Sequence, residues 1–155
     1  MRKHDGKRAA IAYGLTAAVW LAVMFWFSGQ SGVESGELSS GLTMQLFGWM
    51  LKYVSFDTLH IIVRKLAHFT LFAIEGWLMG SALLRILPKK HAVTVTALSC
   101  AVVAALNEMH QLFSEGRSCE LRDVMIDTSG ALLGLAFAVV LLHAFSKLRK
   151  NKHNR

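Results

Sequence analysis

A chain of 155 residues that is 54% hydrophobic, only 17% charged and still carries a formal charge of +7 departs from a soluble domain, in which about 25% of residues are charged. One Pro in so apolar a composition excludes a disordered chain. The length sets a single domain over 1–155 as the expectation, and the placement of apolar and charged residues decides its class.

The first apolar run, 9–27 (AAIAYGLTAAVWLAVMFWF), holds no charge and at ~1.5 Å per residue reaches roughly 28 Å, about the hydrocarbon thickness of a bilayer. It is longer than the ~7–15-residue apolar stretch of a signal peptide and no A-x-A site follows, so it reads as an uncleaved span. The connection after it, 28–63, opens with SGQSGVESGELSSG. It continues at 38–54 as an amphipathic segment, with Leu42, Leu46, Trp49 and Met50 at helical spacing. Such a segment suits a helix lying in the outer interface, or a lid over the bundle. Further spans are expected at 64–84, 92–113 and 124–145. The fold class is therefore an all-α membrane protein: four transmembrane helices plus an amphipathic interfacial helix on the outer side.

Four spans put both termini on one side, and the charges choose it. Arg2, Lys3, Lys7 and Arg8, then Arg85, Lys89 and Lys90, then Lys147, Arg149, Lys150, Lys152 and Arg155 face one acid, Asp5, a local charge of +11; the rest of the chain carries −4. Because Lys and Arg concentrate in short cytoplasmic segments, the reading is a multi-pass protein of a plasma membrane with cytoplasmic N- and C-termini. The basic segments then meet anionic inner-leaflet lipid. No basic soluble module exists for nucleic acid. Cys100 falls mid-span and Cys119 in the second outer loop, at depths too different for a bridge within the chain. The pairs Gly14/Ala18, Gly76/Gly80 and Gly130/Gly134 are spaced for close helix packing.

Ionisable residues inside spans are costly and mark functional candidates. Here they gather at the outer ends of three spans. Arg64, His68 and Glu75 lie at i, i+4 and i+11, on one stripe of a helix, with Lys65 beside it. Glu75 falls near mid-depth, where a carboxyl is protonated or paired. The third span ends in NEMHQLF, where Glu108 and Gln111 share a face with Asn107 nearby and His110 points elsewhere. The loop SEGRSCELRD brings Arg117, and the last span opens with Asp123 and Asp127 one turn apart.

The strings FSGQSG (27–32), VRKLAHFTLFAIEG (63–76), LNEMHQLFSEGRS (106–118) and RDVMIDTSGALLG (122–134), in this order, resemble the VanZ-like family of small bacterial membrane proteins. The resemblance covers nearly the whole chain. It implies a four-span protein named after an accessory factor in resistance to the glycopeptide teicoplanin, with motif positions at Ser28, Gln30, Arg64, Lys65, His68, Glu108, His110, Gln111, Arg117, Asp123 and Asp127. The chain departs from the family pattern at Leu71 and Phe72, where an acid and an aromatic hydroxyl are common, at Glu75, where an apolar residue is usual, and at Glu115, which replaces a Pro. With no acid one turn after His68, Glu75 is the nearest substitute on that helix.

Two functions compete. In the first, an outward-facing pocket binds the head group of an anionic envelope lipid or lipid-linked wall precursor. Arg64, Lys65 and Arg117 hold phosphate, His68 and Asp127 complete the pocket, and Glu108, Gln111 and Asp123 orient the cations. In the second, a membrane-embedded enzyme uses His68 with Glu108 or Asp123 as acid and base, or His68, Glu108, Asp123 and Asp127 as donors to a divalent metal. No nucleophile motif and no H-E-x-x-H spacing supports the second, so binding ranks first, with no cofactor or metal assigned. A proton- or ion-coupled carrier built on Glu75 is a poor third, because no inverted repeat is evident, and a structural scaffold for envelope enzymes is the remaining option.

Overall fold

The computed structural model describes residues 3–153; Met1, Arg2, Asn154 and Arg155, and with them two of the counted arginines, lie outside the described residues. The chain folds as α1 (Lys3–Ser28), α2 (Gly32–Phe47), a 3₁₀ segment (Gly48–Lys52), α3 (Phe56–Leu83), α4 (Lys89–Gln111) and α5 (Leu121–His153). Helices α1, α3, α4 and α5 each contain a stretch long and apolar enough to cross a membrane. The architecture is all-α, as the periodicity requires.

The ends differ from expectation for local reasons. The Ser/Gly/Glu stretch expected to connect elements is itself helical, so α2 begins at Gly32 rather than at 38. A capping box starts it: the Ser31 N–H donates to Glu34 Oε2 at 3.0 Å, and the Glu34 N–H donates to Ser31 Oγ at 3.2 Å. These bonds hold the Glu34 carboxyl below its usual pKa. The expected continuous helix over 38–54 is also corrected: α2 stops at Phe47, and Gly48–Lys52 tighten into the 3₁₀ segment. Gly at that point weakens helix continuation. Helix α3 starts at Phe56, eight residues before the expected 64, because Ser55 Oγ accepts from the Thr58 N–H.

Lateral packing rests on glycines. A Cβ at Gly76 would collide with the Ala131 carbonyl, one at Gly130 with the Phe69 carbonyl, and one at Gly134 with the Ala73 carbonyl. Only glycine lets α3 and α5 meet backbone to backbone there. The expectation for Gly14/Ala18 fails: nothing lies within 4 Å of a Cβ at Gly14, and Ala18 is exposed. That stripe faces outward with Ile11, Leu15 and Val19, on a surface too apolar for water. The core between the helices is built on Met24, Phe72, Cys100, Ala104 and Ala131, and Trp20 Nε1 donates to the Leu71 carbonyl at 3.0 Å, tying α1 to α3. Cys100 is buried and Cys119 exposed, and neither is bridged.

Candidate functional site

Three successive turns of α3 present His60, Arg64 and His68 at intervals of four, which keeps them on one stripe. Each meets a different part of the protein. His60 Nε2 and Ser39 Oγ of α2 share a hydrogen bond of 2.7 Å, with Phe56 stacked on the imidazole. Thr43, one turn on from Ser39, is fully buried against its own helix, donating to the Ser39 carbonyl at 2.7 Å. Arg64 belongs to no ion pair among the described residues. His68 Nδ1 lies 3.5 Å from Asp127 Oδ1 on α5.

Lys65 turns the other way and forms an ion pair with Asp123 at the start of α5. The sequence places Lys65 among the phosphate-holding cations with Asp123 among the groups that orient them; the fold pairs Lys65 with Asp123 and leaves Lys65 off the cavity wall. Asp123 is correspondingly occupied.

On α4, i, i+3 spacing carries a directed chain of bonds. Arg117 Nη1 donates to Gln111 Oε1 at 3.0 Å, Gln111 Nε2 donates to Glu108 Oε1 at 3.0 Å, and the Glu120 N–H donates to Glu108 Oε2 at 3.3 Å. Glu108 and Gln111 are buried, as their shared face predicts. His110 points away and packs edge-on against Phe25 at 5.5 Å, so this motif histidine lies outside the cluster. Ser28 is buried where its Oγ donates to the Asn107 carbonyl at 3.3 Å.

Glu75 does not replace the missing acid beside His68. Asp127 does, from another helix. Glu75 is fully buried with neither oxygen bonded, and it does not line the cavity.

That cavity, about 500 Å³, lies between α1, α2 and α3, with Asn107 and Arg117 closing it. Its walls are mostly apolar, among them Phe27, Leu38, Leu42, Phe47, Val63 and Leu71, and its polar lining includes Gln30, Arg64, His68 and Arg117 beside serines, Thr70 and Asn107. A volume of this size suits a small-molecule ligand. Burial and the nearby Arg64 cation hold the Arg117 guanidinium below its usual pKa, offset in part by Glu108. Arg117 Nε and Asn107 Oδ1 are buried without a partner.

At this end the two connections are tied. The Gly32 N–H donates to the Glu115 carbonyl at 2.8 Å and Ser114 Oγ donates to the Gly29 carbonyl at 3.2 Å. A Cβ at Gly32 would stand 2.6 Å from the Gly116 carbonyl oxygen, and Gly116 itself turns with φ +72°, a conformation that favours glycine.

Sequence reasoning passed over His60 and Ser39. The signal was present for His60, which continues the stripe of Arg64 and His68 one turn back; Ser39 lay in the stretch taken as a connection.

A model of the VanZ/LLP1 family matches residues 13–142. No curated protein and no solved structure gives a significant match.

Proposed function

The chain belongs to the VanZ/LLP1 family of membrane proteins, and on that premise we propose that its cavity binds the anionic head group of an envelope lipid or lipid-linked wall precursor. One observation carries this reading. Arg64 and Arg117 both line the cavity, and neither is paired with a carboxylate among the described residues. Two such cations in a largely apolar cavity favour an anion, and the unpartnered Arg117 Nε leaves a donor for it. The apolar walls suit the start of a lipid chain. Gln111 and Glu108 orient Arg117 for this task, while Lys65 steadies α3 against α5 through Asp123.

The charge ledger supports the sidedness of the reading, with the termini in the cytoplasm and the α2 end at the outer face. A link to glycopeptide resistance follows if the bound lipid is one that such drugs engage.

Binding of a polyprenyl pyrophosphate to the purified full chain in detergent tests the proposal. Loss of one charge-assisted contact is worth about 1.5–3 kcal/mol, so Arg64→Ala and Arg117→Ala are each expected to weaken binding by roughly tenfold or more. Wild-type affinity in both variants would sink the reading.

The position of His68 favours a second reading. It faces the cavity with Asp127 behind it, an arrangement able to move a proton on a lipid-linked substrate. Among the carboxylates first paired with it, Asp123 is held by Lys65 and Glu108 remains. Turnover of the lipid pyrophosphate by wild type but not by His68→Ala distinguishes an enzyme from a binding protein.

A further inference from the structure

We propose that His68, Glu108 and Asp127 are the protein ligands of one divalent transition-metal ion, of the zinc or manganese kind, held where α3, α4 and α5 converge. One ligand atom from each residue lies within 4.8 Å of the other two. Bonds of about 2.0–2.2 Å to one ion place donors roughly 3–4 Å apart, so modest side-chain movement closes the set.

Charge makes the same demand. Glu108 and Asp127 are fully buried on adjacent helices, and two carboxylates this close stay ionised together only beside a compensating cation. No Lys or Arg forms an ion pair with either carboxylate among the described residues: Lys65 pairs with Asp123, Arg117 donates to the Gln111 amide, and Arg64 is in no ion pair. His68 approaches Asp127 only to 3.5 Å, beyond a hydrogen bond. Both Asp127 oxygens are buried without a hydrogen-bond partner, and one of them completes the three-atom cluster. A divalent ion balances the two carboxylates and gives Asp127 a partner.

The supporting bonds have the form that metal sites use. Gln111 and the Glu120 N–H fix the Glu108 carboxylate from behind, as outer partners orient a ligand. One imidazole nitrogen with two carboxylates suits zinc or manganese better than calcium or magnesium, which take oxygen donors. Asp123, grouped with these residues in the sequence, is not part of the set, because Lys65 holds it. His68 also lines the cavity, so the ion lies at the cavity wall, whatever occupies the cavity.

The purified full chain in detergent, stripped with a chelator and free of added lipid, is titrated separately with Zn²⁺ and Mn²⁺. Binding is followed by calorimetry, metal content and melting temperature. Wild type is expected to take up about one equivalent of at least one ion and to melt higher when loaded. Asp127→Asn and His68→Gln are expected to bind it roughly tenfold or more weakly, while Cys119→Ser and His110→Gln bind as wild type. No saturable uptake of either ion by wild type overturns the proposal, and this arm decides even if a variant fails to fold. Wild-type affinity in both Asp127→Asn and His68→Gln also overturns it. Because no lipid is present, either outcome is independent of the Arg64 and Arg117 lipid measurement.

Discussion

Along one side α3 meets α5 backbone to backbone, through Gly76, Gly130 and Gly134; near its start it meets α2 through the Ser39–His60 hydrogen bond and the wall of a cavity. The first contact has no room for a methyl group. The second encloses about 500 Å³. The difference teaches how one bundle combines two kinds of contact: the glycine seam fixes the spacing between His68 and Asp127, and the α2 cover leaves a cavity beside His68.

Substitutions can break this contrast. The largest effect is expected for Gly134→Val, which drives a branched side chain into the Ala73 carbonyl. A loss of more than about 4 kcal/mol, seen as failure to purify as a monodisperse species, is the expected outcome; a normal melting temperature would show that the seam tolerates bulk. A smaller cost, about 0.5–1.5 kcal/mol, is expected for His60→Ala, which removes the bond to Ser39. Thermal unfolding in detergent measures it, and a cost equal to that of Gly134→Val would erase the distinction between rigid seam and soft cover. The smallest effect belongs to Gly14→Ala. Nothing lies within 4 Å of its new methyl group, and the helix gains up to about 1 kcal/mol in propensity, so the melting temperature is expected to hold or rise slightly.

The same contrast separates what could be read in the sequence from what could not. The four spans were legible because an uncharged run of about 20 residues has few alternatives. The Glu108–Gln111 face was legible because i, i+3 spacing lies within one helix. The Lys65–Asp123 pair and the meeting of His68 with Asp127 join different helices, and their geometry depends on how α3 and α5 are rotated against each other. Gly76, Gly130 and Gly134 set that rotation, but Gly14 has the same small-residue spacing and contacts nothing, so spacing alone could not tell a packing glycine from an outward one. The start of α2 was hidden by composition: Ser and Gly suggest a connection, and the Ser31–Glu34 capping box overrides that suggestion through two hydrogen bonds. Glu75 was flagged by its expected depth; it is buried, and its unbonded oxygens have no role that its neighbours define.

The tie between the two connections has a consequence for biogenesis. The Gly29 carbonyl waits for Ser114, 85 residues later, and the Gly32 N–H waits for Glu115. While the chain is being made from its N-terminus, α1, α2 and α3 emerge before either bond can form. Arg117, which closes the cavity, arrives with that same late segment. The cavity is thus closed only after the three helices that wall it, α1, α2 and α3, have been made.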